Sequence, residues 1–154
     1  MLTTLLAVLG TLAGALTAGW MQHLTTTRTT EAARAERRRQ ALVDAFPALL
    51  GALVDHRRHQ YLKHVARREG RPDTADARAA RYEARSGVTK AMAAVQMATR
   101  DADLLHTARA AVAATFALGE ASHDQDALSE AGDLARAAHD ALQDAAAAYV
   151  YDHR

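Results

Sequence analysis

Asp55, His56 and His59 have the residue types and the spacing of metal ligands. His56 and His59 are three residues apart and Asp55 and His59 are four apart, so each pair lies on one face of a helix. Four cationic side chains surround them: Arg57, Arg58, Lys63 and Arg67. Because this charge repels a dication, we interpret the histidines as exposed or interfacial residues of a basic helix and expect no metal.

Catalytic patterns are absent from the sequence. The chain has no cysteine, and its three serines, Ser86, Ser122 and Ser129, stand in no Gly-x-Ser-x-Gly motif. It also has no glycine-rich loop of the kind that holds phosphates. We therefore expect neither an enzyme nor a cofactor.

The composition favours helices over strands. The 154 residues include 39 alanines, two prolines and no isoleucine. Strands need runs of β-branched and aromatic residues between turn residues, and such runs are missing. We predict an all-α protein with a thin core, because alanine buries little area.

The net charge of +1 is the sum of three unlike zones. Residues 1–27 carry no formal charge, residues 28–71 carry 11 basic and 5 acidic groups, and residues 72–154 carry 8 basic and 13 acidic groups. Such asymmetry is typical of proteins that contact a surface.

The first zone predicts a single membrane-spanning helix over residues 1–24. Residues 2–21 are uncharged, and a helix of that length crosses a hydrocarbon core of roughly 30 Å. Trp20 stands at its end, where an indole anchors at the headgroup level. Two alternatives are a cleaved signal peptide, with a small-residue site at 13–15, and a soluble helix buried in the protein.

Arginines determine the expected orientation. None precedes the uncharged segment, and five follow it: Arg28, Arg34, Arg37, Arg38 and Arg39. By the positive-inside rule, we expect a cell-membrane protein with its N-terminus outside and its C-terminal domain in the cytoplasm. The same arginines would contact anionic lipid headgroups.

Small residues recur along the uncharged segment at intervals that suit helix packing. Gly10 and Gly14 form a Gly-x-x-x-Gly motif, and Ala15 and Gly19 extend a small-x-x-x-small row. Close approach of two backbones along such a stripe favours association of membrane helices. The motif makes a homo-oligomer one expectation for this chain.

Beyond residue 24 we predict a juxtamembrane linker or helix extension over 25–40, with a hinge at 25–30, and a cytoplasmic bundle over 41–154. Two apolar rows at helical spacing begin the bundle: Leu42, Phe46, Leu49 and Leu53, and Leu50, Val54, Tyr61 and Val65. Pro47 predicts a kink near Ala45 or a break into two helices.

Three further helices are expected, which makes about four antiparallel helices joined by short loops. The first covers about Thr74 to Ala98. The next begins with Asp101 as N-cap and stops at Gly119. Its predicted buried residues are Leu105, Ala108, Val112 and Phe116. The last places a mostly alanine stripe from Leu128 to Tyr149 on one face.

A basic row on the first bundle helix is the remaining candidate site. It consists of Arg57, Tyr61, His64, Arg68 and Arg71, which share one helix face. Such a face could meet DNA phosphates. Because it has only one aromatic residue and the chain has no DNA-binding motif, we do not expect it to recognise a nucleic-acid sequence.

Four segments of the sequence resemble the small actinomycete proteins labelled KilB. They are the N-terminal run 1–17, the arginine-rich stretch 31–39, the Ala-Leu-Val-Asp-His-Arg-Arg of 52–58 and the Ala-Ala-His-Asp-Ala-Leu of 137–142. The resemblance implies a membrane-associated accessory of Streptomyces plasmid transfer that is concerned with spread of the element through the mycelium. It implies no catalytic residues.

Two hypotheses follow. In the first, a single-pass anchor presents a helical bundle that binds partners at the membrane, including a protein of a DNA-transfer apparatus. In the second, the chain is a soluble DNA-binding or regulatory module whose N-terminal helix packs into the bundle.

Overall fold

The computed structural model describes residues 2–121 and 125–152, apart from the side chains of residues 2–19, 21–25, 27 and 28. Four helices cover nearly all of this range: α1 (Leu2–Arg68), α2 (Ala75–Ala98), α3 (Ala102–Glu120) and α4 (Gln125–Asp152). The described residues contain no strand. The predicted all-α class is confirmed.

The chain divides into two units, residues 1–38 and 39–154. The first consists of α1 residues, and its threonine-rich part is helical. The Thr30 hydroxyl donates to the Thr26 carbonyl at 2.7 Å, which satisfies the hydroxyl on the helix's own backbone.

No helix among the described residues has a stretch long and apolar enough to cross a membrane. The sequence predicts an anchor over 1–24. Its expected packing residues have side chains that lie outside the described ones: Gly10, Gly14, Ala15 and Gly19.

The second unit is a bundle in which neighbouring helices run in opposite directions. Arg57 of α1 meets Ala135 of α4, and eleven residues later Arg68 of α1 meets Gln125 at the start of α4. Sequence numbers therefore rise along α1 as they fall along α4. The short connections 69–74 and 99–101 reverse the chain between α1 and α2 and between α2 and α3.

The core confirms one of the two apolar rows expected on α1. Leu42, Phe46, Leu49 and Leu53 are all buried, together with Val88 and Val95 of α2, Leu104, Ala108 and Ala111 of α3, and Ala135 and Leu142 of α4. The second row is wrong for Val54 and Tyr61, which are 46% and 58% exposed. This row lies beside the stripe that faces α2, α3 and α4, and a helix buries only one such stripe.

Side-chain caps determine where two helices begin, as their sequences predict. The Thr74 hydroxyl accepts from the Ala77 amide at 3.1 Å and starts α2, and an Asp101 carboxylate oxygen accepts from the Leu104 amide at 2.9 Å and starts α3. Gly119 does not stop α3, which continues to Glu120.

The predicted break at Pro47 is wrong, because α1 continues through this residue. Proline removes one backbone hydrogen bond from a helix interior. Leu42 and Phe46 before it and Leu49 and Leu53 after it are buried in one core, which holds both segments in the same helix.

Candidate anion-binding cleft

A row of buried polar side chains lies on α1 beside the apolar core. His56, Gln60 and His64 follow one another at four-residue intervals, and each is at least nine-tenths buried. His56 and His64 are therefore not exposed. Of the two expected forms, exposed or interfacial, they take the interfacial one, because they lie where α1 meets neighbouring helices.

His56 packs against the edge of Phe116 from α3, with ring centroids 5.2 Å apart. The Nε2 atoms of Gln60 and His56 are 3.4 Å apart. Burial lowers the pKa of His56 below its ordinary value, and the nearby positive charges of Arg85 and His59 lower it further. The imidazole is therefore held in its neutral form.

Phe116 also contacts a cation through its ring face. The guanidinium carbon of Arg85, on α2, lies 4.3 Å from the centre of the Phe116 ring, a cation–π contact. The ring thus fixes both Arg85 and His56 at the edge of the same space.

That space is a half-open cavity of about 220 Å³ between α1, α2 and α3. His56 and Gln60 line it together with four cationic side chains, Lys63, Arg78, Arg81 and Arg85, and one carboxylate, Glu120. The cavity is therefore strongly electropositive.

A second cavity of about 550 Å³ adjoins the first and shares Lys63 and Arg81 with it. It lies between the end of α1 and the start of α2, and Arg67, Arg71 and Asp73 are among its lining residues. We call the two cavities together the α1–α2 cleft. Six cationic side chains and two carboxylates line this cleft.

Asp73 organises the middle of the α1–α2 cleft. Its two carboxylate oxygens accept from Arg81 Nη2 at 2.7 and 2.6 Å, and its carbonyl accepts from Arg78 Nη1 at 2.7 Å. The hydrogen bond from Arg81 holds the pKa of Asp73 below its ordinary value. Lys63 Nζ donates to the Gly119 carbonyl at 3.3 Å, which ties α1 to the end of α3.

The basic row predicted on α1 does not form one exposed surface. Arg57 is half-buried and donates to the Ala135 carbonyl at 2.9 Å, and burial lowers its pKa. Arg68 donates to Gln125 and, with the buried His64, lines a cavity of about 210 Å³ against α4. Of this row only Arg71 belongs to the α1–α2 cleft.

The residues that the sequence predicts to lie beside a membrane are placed as follows. Trp20 is 71% exposed. Arg34, Arg37 and Arg38 are exposed, and Arg37 donates to the Ala33 carbonyl. Arg39 is half-buried in the second unit, and the side chain of Arg28 lies outside the described ones.

Sequence reasoning missed the α2 contribution to the cleft. Arg78, Arg81 and Arg85 stand at i, i+3 and i+7, a spacing that puts three cations on one helix face. That spacing was a usable signal. In the part of the chain that the structure describes, no three histidine, aspartate or glutamate side chains come together as a metal site.

The fold and the cleft define a small helical-bundle protein with a cationic groove between two of its helices. The KilB plasmid transfer protein family model matches residues 43–150, which is most of the chain. This chain therefore belongs to the KilB family, which is not a known enzyme family.

A curated relative agrees with that assignment. Protein KilB of Streptomyces lividans is 40% identical over 99 residues, which are 63% of this chain and 65% of the relative. The matched part of the chain thus spans less than two thirds of that relative's length. No solved structure matches significantly.

Proposed function

We propose that this protein is a non-enzymatic, membrane-anchored interaction protein that assists plasmid transfer and spread of the plasmid through the mycelium. The observation that carries the proposal is the KilB family match over residues 43–150. This match falls inside the unit 39–154, which has its own buried core. The bundle is therefore the part of the chain to which the family's role belongs.

The proposed anchor is the uncharged segment 2–21, followed by the arginines from Arg28 to Arg39. This order of charge supports an external N-terminus and a cytoplasmic bundle at the cell membrane. The small-residue stripe from Gly10 to Gly19 supports self-association there. The bundle would then present its surface to a protein of the DNA-transfer apparatus.

Two charge insertions test the anchor. Leu12→Arg puts a cation in the middle of the uncharged segment, where it costs about 3 kcal/mol of insertion free energy, whereas Gln22→Arg puts the same cation at its end. We expect L12R to move the full-length protein into the soluble fraction after carbonate extraction and to reduce plasmid spread. We expect Q22R to behave as the parent protein.

Two results would contradict the proposal. Complete release of the parent protein by carbonate would remove the anchor. Alternatively, deletion of the gene could leave plasmid spread between hyphae unchanged, which would remove the role in transfer. A reporter fused after Arg154 reports on which side of the membrane the bundle lies.

The alternative is a soluble DNA-binding or regulatory module. The observation in its favour is the excess of cations in the α1–α2 cleft. A full-length protein that is wholly cytosolic and stays bound to DNA at about 200 mM salt would favour this alternative, because nonspecific phosphate contacts weaken steeply with salt.

A further inference from the structure

Two polar atoms at the base of the α1–α2 cleft have no hydrogen-bond partner among the described residues. They are His56 Nδ1 and Gln60 Oε1, on side chains 1% and 8% exposed. Buried polar atoms are nearly always paired in folded proteins. Both side chains line the 220 Å³ cavity, so a rotation of the imidazole or of the amide would bring either atom to a ligand there.

The Nε2 atoms of Gln60 and His56 face each other across 3.4 Å, and the direction of this contact depends on the tautomer of His56. In a neutral imidazole one ring nitrogen carries the proton and the other accepts. His56 Nδ1 is therefore a polar atom that no described residue satisfies.

The cations around His56 are unequally paired. Arg81 is paired with Asp73, whereas Lys63, Arg78 and Arg85 form no salt bridge with any carboxylate that the structure describes. Arg85 is held against Phe116, so its guanidinium is positioned before any ligand arrives. The cavity holds four cations and the single carboxylate of Glu120, and a compact anion with two charges matches this excess.

The depth of the site selects between anions. A phosphodiester of duplex DNA carries one charge on a convex backbone, so it meets exposed side chains and leaves a buried imidazole unreached. A terminal phosphate monoester carries nearly two charges and has three free oxygens. A single phosphate group is small enough for a cavity of about 220 Å³.

We propose that the α1–α2 cleft binds the terminal phosphate monoester of a small molecule or lipid headgroup, with Lys63 and Arg85 as its contacts and His56 in the wall of the cavity. Arg78 adds charge at the rim. Arg81 is paired with Asp73, which fixes the 69–74 connection against α2.

Titration calorimetry of the full-length protein in an uncharged detergent tests this site. The soluble probes are inorganic phosphate and ADP, and the lipid probe is mixed micelles of the same detergent with phosphatidylcholine, with or without phosphatidic acid. We expect at least one phosphate monoester to bind. Arg85→Gln and Lys63→Gln should each weaken that binding about tenfold or more, which corresponds to about 1.4 kcal/mol.

Arg109→Gln is the matched control, because Arg109 is an exposed cation on α3 that does not line the cleft. It removes the same charge and should leave affinity unchanged. Arg85→Lys should keep part of the affinity, since it keeps the charge. Helicity and melting temperature measured for each variant identify any that fail to fold, and Lys63→Gln then carries the test.

The soluble and lipid probes distinguish the source of the phosphate, and binding of either one through Lys63 and Arg85 supports the proposal. The proposal is overturned if no monoester binds. It is also overturned if R109Q weakens binding as much as R85Q, or if duplex DNA binds through these residues while ADP, phosphate and phosphatidic acid do not.

Discussion

At the scale of single residues, protonation of His56 and His139 opposes folding. Burial lowers the pKa of both below the ordinary value of 6.5, with help from Arg85 for His56 and from Arg57 for His139. In the unfolded chain both histidines take up protons at their ordinary pKa. The unfolded state therefore binds more protons than the folded state once the pH falls below about 6.5.

We predict that the melting temperature is constant above about pH 7 and falls as the pH is lowered toward about pH 5. The double substitution His56→Phe and His139→Phe should flatten this dependence, because phenylalanine fills a similar volume and takes up no proton. His106→Gln, at an exposed position on α3, should leave the dependence as it is. A double variant that still loses stability at the parent rate would show that other groups control the acid response.

The basic row that the sequence predicts and the α1–α2 cleft are different surfaces. The predicted row followed α1 alone, through Arg57 and Arg68, both of which bond to α4. The cleft instead joins Lys63 and Arg67 of α1 to cations of α2. Spacing along one helix gives the face of each residue but not which neighbouring helix that face meets, and the reversal at 69–74 decides that pairing.

At the scale of helices, Pro47 lies inside α1, where its ring is exposed. A proline in a helix interior leaves the carbonyl four residues earlier, that of Val43, without its usual donor and costs about 3 kcal/mol against alanine. We predict that Pro47→Ala raises the free energy of unfolding by up to about that amount. Urea denaturation followed by circular dichroism measures it.

Ala48→Gly serves as the opposite control, since it lowers helix propensity by about 1 kcal/mol at the next exposed position. A lower stability for P47A would mean that the bundle needs a bend at this residue for the packing of Leu42 and Phe46.

Helix ends were more predictable than helix faces. Thr74 and Asp101 cap α2 and α3 through bonds three residues along the chain, which sequence alone describes. The face of α3 is rotated from the expected one. Leu104, Ala111 and Thr115 are buried, whereas Leu105, Val112 and Phe116 are half-buried. Alanines on every side of α3 leave its apolar pattern weak, so packing against α4 decides the rotation.

At the scale of the whole molecule, the core belongs to one part of the chain. Every member of the buried cluster lies between Leu42 and Ala146. The family match over 43–150 covers nearly the same range.

We therefore predict that residues 39–154, produced without the first 38, fold into a helical bundle with a cooperative thermal transition. Circular dichroism and differential scanning calorimetry measure this. The control is Leu53→Ala in the same shortened chain. Leu53 is fully buried, so its truncation should cost roughly 2–5 kcal/mol. A shortened chain that is helical but melts without cooperativity would show that the first unit is needed for packing.

Gly119 affects the shape of the α1–α2 cleft, which its charged residues do not determine. A Cβ placed there would come within 3.0 Å of Gln60 Cδ and within 3.1 Å of Gln60 Oε1. The glycine therefore leaves room for the Gln60 amide where it lines the cavity. Replacing that hydrogen by a methyl group would displace the amide. The smallest side chain in the protein thus sets the space that Gln60 occupies, and Gly119→Ala would change the shape of the cavity without altering a single charge.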